Sequence, residues 1–254
     1  MSYPETNDPS ASGLREPAFN APLPVLLCIA AFILVHLARE WFMDPAAVGR
    51  LVLTFGVYPP LYEAVWLGMP PDRLPGGVWG LLAAPFTHFF LHANWMHVTM
   101  NALWMLVFGT PVARRLGAMR FCALALLSAA GGALAFLTLH WGEEALLVGA
   151  SGGISGLMGA SVRLVYAGGA TLAEGLRGDV HTVRPLTFVQ ALTLPGPRLF
   201  ILVWIGINIL VSLVGFGMSG GMDRVAGEAH LAGFFTGMAL FGLFDGNDRR
   251  VFMG

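Results

Sequence analysis

From Phe121 to Leu139 the chain reads FCALALLSAAGGALAFLTL, without one charged side chain. Coiled at ~1.5 Å per residue, a stretch of this length spans a hydrocarbon layer of ~30 Å. Five more stretches share its character: Leu23 to Trp41, Asn94 to Val112, Leu147 to Tyr166, Leu199 to Phe216 and Ala229 to Phe244. Hydrocarbon offers no partner to a backbone amide, so each is expected to satisfy its hydrogen bonds internally as a helix. Only 11% of the 254 residues are charged, against roughly a quarter in a soluble domain. Too little polar surface exists to coat a water-soluble core of this size. The expected fold class is therefore an all-α polytopic membrane protein with six transmembrane helices.

The remaining segments frame those spans. Residues 1–20 are polar and rich in Pro, Ser and Asn, which predicts a disordered cytoplasmic tail, and 246–254 a short C-terminal one. The first apolar run is too long, and lacks the cleavage site, for a signal peptide. Between Met43 and Phe90 the chain carries Pro59, Pro60, Pro70, Pro71 and Pro75 among Trp, Leu and Tyr, which predicts a long interfacial first loop, partly helical. Ten arginines fall on one side of a six-helix arrangement, among them Arg114, Arg115, Arg120, Arg163 and Arg184, and four on the other, Arg39, Arg50, Arg73 and Arg224. Because basic residues accumulate on the cytoplasmic side, both termini are expected there. A net charge of −1 points to no nucleic-acid partner. Cys28 and Cys122 lie inside apolar runs, where thiols behave as small hydrophobes and imply no disulfide framework.

In that topology helices two, four and six all begin at the non-cytoplasmic surface. Near these starts lie His92, His97 and Asn101 on or just before helix two, then Ser151, then His230, so the costly polar groups share one depth, which marks a candidate functional site. GASGG, around Ser151, has the small-residue spacing of close helix packing, and its glycines would also leave backbone N–H groups open to a reacting oxygen. EAHLAGFFTG carries His230 ahead of Gly233 and Gly237 at helical spacing. Two parallel helices with facing glycines bring an imidazole within reach of a serine hydroxyl, the requirement for base-activated nucleophilic attack. In THFFLHANWMHVTMN, His97 and Asn101 lie at i, i+4 and both can donate to an oxyanion. His88, His92 and His97 also suggest a metal, but HExxH is missing and no carboxylate lies nearby to activate a bound water, so no metal or other cofactor is expected.

In this order, THFFLHANWMHVTMN, GASGGISGLMGA and AHLAGFFTG resemble the rhomboid family of intramembrane serine proteases, over roughly Pro22 to Asp245. The resemblance implies a protease domain at 21–245, with Ser151 as nucleophile and His230 as general base in a dyad without a third acid. It implies an oxyanion hole of His97, Asn101 and the Ser151 N–H, a supporting role for His92, and Gly149 as the glycine two before the nucleophile. Transmembrane segments of other membrane proteins would be the substrates, and the bacterial inner membrane the location.

Two positions depart from the family pattern. Where many members carry an aromatic ring against the catalytic imidazole, four residues after the nucleophile, this chain has Ser155, so another ring must serve or the histidine is held less rigidly. Trp79 is followed by Gly80 in place of arginine, which removes a usual anchor of the first loop. Glu228, two residues before His230, points about 200° around the helix from it and is expected to face water. Asp223 lies in the glycine-rich GFGMSGGMDR, a candidate gate. A catalytically silent relative that binds or chaperones helices is the alternative; such relatives characteristically lack the serine or the histidine, and this chain keeps both. A transporter fits less well, given few charged residues in the spans and no repeats.

Overall fold

The computed structural model describes residues 21–167, 180–214 and 226–245. The two expected tails and the GFGMSGGMDR segment, with Ser219 and Asp223 in it, lie outside the described residues. Within them the chain is helical, apart from loops and an isolated bridge between Val57 and Leu147. The helices are α1 (Leu23–Phe42), α2 (Pro45–Phe55), α3 (Pro59–Trp66), α4 (Gly77–Thr87), α5 (Trp95–Trp104), α6 (Thr110–Leu116), α7 (Ala118–Leu139), α8 (Ser151–Val165), α9 (Phe188–Thr193), α10 (Pro195–Val214) and α11 (Gly227–Phe244). Three are long and apolar enough to cross a membrane: α1, α7 and α10 over Pro195–Leu213. Large apolar side chains such as Leu27, Leu34, Leu199, Val203 and Leu210 stand exposed on α1 and α10, a surface suited to lipid.

Local chemistry sets the boundaries. Asp44 caps α2 by accepting from Ala47 N at 2.8 Å, and Asn94 caps α5 by accepting from His97 N at 2.9 Å. Between α5 and α6 the backbone stays helical through a π turn, Met105–Gly109. Such a turn breaks the regular ladder, and the buried Ser161 of α8 donates to Phe108 O at 2.8 Å. The span expected from Leu147 starts later, at Ser151. Leu147 exchanges backbone hydrogen bonds with Val57, and Gly149 takes a φ of +119°, which helical backbone excludes.

The first loop folds as α2, α3 and α4, joined by a short 3₁₀ turn. Gly80 takes part in that packing, because a Cβ there would lie 2.8 Å from Pro75 O and 3.4 Å from Thr54 O. Thr87 Oγ1 donates to Phe55 O at 2.9 Å and Tyr62 to Leu81 O at 2.8 Å. Glycine thus lets α4 settle onto α2 by contact where the family's arginine is missing.

At the centre stands α8, buried from Gly152 to Val165. Its glycines meet α11 backbone to backbone: a Cβ on Gly233 would collide with Gly152, one on Gly237 with Gly156, and one on Gly159 with Phe234 O. The pairs advance together along both helices, so α8 and α11 run parallel. On another side Ser128 of α7 occupies the space a Cβ on Gly156 would need. Apolar side chains gain little from one another in lipid, so such close backbone contact is what favours association.

Charged groups tie the two ends. At one, Arg115 makes a two-pronged pair with Asp245, through Nε at 3.0 Å and Nη2 at 2.9 Å, and donates to Val180 O. At the other, Arg39 of α1 donates to His92 O and Ala93 O, while His140, just beyond α7, bridges Glu143 at 2.7 Å and Glu228 at 2.9 Å. Glu228 is thus not the water-facing residue expected. Its side chain is 24% exposed because α7 ends beside the first turn of α11. Burial disfavours the charged His140 ring, but hydrogen bonds to Glu143 and Glu228, and then their charges, outweigh that and raise its pKa above 6.5.

Gly237→Ala, forced against the Gly156 backbone, should lower stability by ~1–3 kcal/mol, whereas Gly206→Ala on α10, with nothing within 4 Å, should be silent. Thermal unfolding in detergent reads both; equal melting points would mean that α8 and α11 can part without cost. The His140 contribution is complete below pH 6.5 and is lost as pH rises through the raised value. Melting of the wild type should therefore fall relative to His140→Gln between pH 6 and 9, and a constant difference would show that the bridge carries no charge.

Candidate active site

The parallel contact of α8 and α11 sets one polar pair. Ser151 opens α8 and His230 lies in the first turn of α11, and Ser151 Oγ stands 2.8 Å from His230 Nε2. Because Ser151 is the first residue of α8, the N–H groups around it have no carbonyl a turn earlier to bond, and Ala150 supplies no side-chain cap.

His97 and Asn101 come to this place from α5. The His97 ring lies over Gly149, where a Cβ would sit 2.6 Å from Nε2. Ala93 N donates to His97 Nδ1 across a long 3.4 Å, which leaves the ring proton on Nε2, the atom against Gly149. Asn101 is buried and its Nδ2 donates to His97 O at 3.0 Å, one of the two bonds that amide group can give.

His92, also buried, packs edge-on against His97 with centroids 5.1 Å apart and against Phe32 at 5.0 Å. Arg39 holds its carbonyl. The ring nitrogens of His92, and of buried His36 on α1, have no hydrogen-bond partner among the described residues. His88 is turned away toward its own helix, with Nδ1 3.0 Å from Ala84 O. Among the described residues no three His, Cys, Asp or Glu side chains are placed to share a metal ion.

Two groups near His230 escaped the sequence reading, both on α10. Asn208 Oδ1 lies 2.9 Å from His230 Nδ1. Trp204, one turn earlier, stacks on the imidazole with centroids 6.4 Å apart and planes 29° apart. With Ser155 at the usual aromatic position, the ring beside His230 comes from a different helix. Asn208 was visible as a lone amide in WIGINILV, and a polar residue inside an apolar span is itself a signal; no spacing connects it to His230.

A model of the Rhomboid domain matches residues 76–245, a range that contains Gly149, Ser151, His230 and the α5 pair. The chain belongs to the rhomboid family. As a rhomboid it is an integral membrane protein, and its relatives carry the protease name. Rhomboid protease GlpG of Salmonella paratyphi A is 29% identical over 177 residues, which cover 69% of this chain and 52% of the relative. Rhomboid protease GlpG of Salmonella choleraesuis is 29% identical over 233 residues, covering 91% of this chain and 66% of the relative. The chain thus spans about half the length of the first of these and two thirds of the second.

The contact between Gly149 and His97 makes a sharp test. Gly149→Ala would strain a left-handed backbone and push the His97 ring aside. If Ser151 is the nucleophile that the sequence leads one to expect, its labelling by a fluorophosphonate, whose phosphoryl oxygen would call on the donors expected for an oxyanion, should then slow markedly. An unchanged rate would place His97 outside any such role.

Proposed function

We propose that this rhomboid is an intramembrane serine endopeptidase that cuts transmembrane segments of other membrane proteins, with Ser151 as nucleophile and His230 as general base. The observation that carries this reading is the 2.8 Å contact between Ser151 Oγ and His230 Nε2. A hydroxyl is a weak nucleophile until a base at hydrogen-bond distance takes its proton as attack proceeds. Nε2 accepts that proton, Oγ bonds to the scissile carbonyl carbon, and the carbonyl oxygen becomes an oxyanion. His97 Nε2–H, the second Asn101 N–H and the Ser151 N–H are the donors proposed to meet it. The imidazolium then protonates the leaving amine, and the peptide C–N bond breaks. Water, deprotonated by the same nitrogen, attacks the acyl-serine; the C–Oγ bond breaks, the imidazolium returns its proton to Oγ, and the new carboxyl end leaves. The ring nitrogens of His92 and His36, without a hydrogen-bond partner among the described residues, offer that water polar sites on its way in.

A helix in lipid exposes no carbonyl, since every one is bonded within its own turn. The substrate segment must therefore unwind locally, which Gly, Pro or polar residues favour. The proposed orientation sets six spans across the bacterial inner membrane with both termini in the cytoplasm and α2 to α4 along the outer interface. It places Arg115 and Arg163 at the cytoplasmic end, and the Ser151 end opens outward.

Purified protein incubated with a single-span reporter, followed by mapping of the cut, tests the activity. Ser151→Ala should abolish cleavage without changing the melting point, and Ser155→Ala should leave it intact; the reverse result would overturn the nucleophile. Asn101→Ala should lose ~10²–10³ in rate, the size of one oxyanion donor, and unchanged turnover would place that side chain outside the hole.

A further inference from the structure

We infer that Asn208 completes a Ser151–His230–Asn208 triad, as the positioning residue that fixes the tautomer and direction of the imidazole. The inference rests on the proposed roles of Ser151 and His230. Its geometric basis is a chain of three hydrogen bonds with a single consistent set of donors. Asn208 Nδ2 lies 2.8 Å from Trp204 O. A carbonyl oxygen can only accept, so the Asn208 amide must turn its NH₂ toward Trp204 and its Oδ1 toward His230. Oδ1, also an acceptor only, then requires the His230 proton on Nδ1, 2.9 Å away. That leaves a lone pair on Nε2, facing the Ser151 hydroxyl at 2.8 Å. The Trp204 carbonyl thereby selects which ring nitrogen is the base, through one amide group.

Surrounding packing holds the arrangement. Asn208 is 3% exposed, and α10 and α11 approach so closely there that a Cβ on Gly227 would lie 2.6 Å from Asn208 O. Gly227 is one turn before His230, so the contact fixes the distance between the amide and the ring. Trp204, on the same face of α10, covers the ring plane. The titratable groups acting on His230 are His97, from α5, and Glu228, on its own helix; Glu228 is engaged by His140.

An amide suits this position better than a carboxylate would. During proton transfer the ring is an imidazolium, and Oδ1 accepts its Nδ1–H in both states. In a buried site beside lipid, a permanent anion would carry a large desolvation penalty, whereas a neutral amide with its bonds made does not. The same logic appears in the Cys-His-Asn proteases.

The test uses the full chain in detergent, single-turnover cleavage of one reporter and a pH profile. Asn208→Leu, similar in size and without hydrogen bonds, should lower kcat by ~10²-fold, within the range a positioned general base contributes, with KM little changed. Asn208→Asp restores an acceptor: it should recover most of that loss and move the acid limb of kcat/KM to higher pH, because a carboxylate favours the imidazolium. A folded Asn208→Leu with wild-type kcat overturns the inference. So does an Asp variant that melts normally yet is as slow as Leu, with an unshifted acid limb; this second variant decides the matter if Leu fails to fold. Ser151→Ala and His230→Ala, measured alongside, separate the two levels: if either still cleaves, the proposed nucleophile and base fail, and if both are dead while Asn208→Leu is fully active, only the role of Asn208 fails.

Discussion

The backbone-to-backbone contact of α8 with α11 is the constraint on which the rest depends. In lipid, leucine gains nothing by leaving hydrocarbon for a neighbouring helix, so two helices stay together through dispersion at short range and through the polar bonds that short range permits. Gly152, Gly156 and Gly159 on one helix and Gly233 and Gly237 on the other supply that range. A side chain on any facing position would part the helices, and Ser151 and His230 ride on their first turns. The hydrogen bond between them is thus a consequence of glycine placement one and two turns away.

Around this central pair, α5, α1, α7 and α10 each contribute a specific constraint. α5 presents His97 and Asn101, held by the Asn94 cap, by Gly149 beneath the ring and by His92 beside it. α1 contributes Arg39, which grips the carbonyls just before α5. α7 ends in His140, which fastens the start of α11 through Glu228. α10 brings Trp204 and Asn208 to the side of the imidazole away from Ser151. The buried ring nitrogens of His36 and His92, which have no hydrogen-bond partner among the described residues, lie at the same end.

Much of the architecture could be read from the residues alone. Long uncharged runs in a chain with few charges leave helix as the only outcome in lipid, and α1, α7 and α11 begin and end within a few residues of the expected positions. The ordered motifs singled out Ser151, His230, His97 and Asn101 as polar residues expected at one depth of an apolar chain, and the first two lie within hydrogen-bond distance. Where the reading slipped, the cause was local geometry with a distant partner. Leu147 looked helical by hydropathy, but its backbone pairs with Val57, ninety positions earlier in the chain, and Gly149 turns left-handed. Glu228 pointed away from the site as expected, yet met His140 instead of water.

What the sequence by itself determined is the helical class, the membrane environment and which polar residues stand inside apolar spans, since each follows from composition and from spacing within one helix. What only the tertiary structure decided is the neighbourhood of the imidazole. Asn208 and Trp204 lie on a helix whose sequence carries no motif linking it to His230, and their approach depends on how closely α10 meets α11 at Gly227. Helical periodicity says which residues share a face. It does not say which face meets which neighbour, and the partner of an imidazole nitrogen is settled only when two helices have packed.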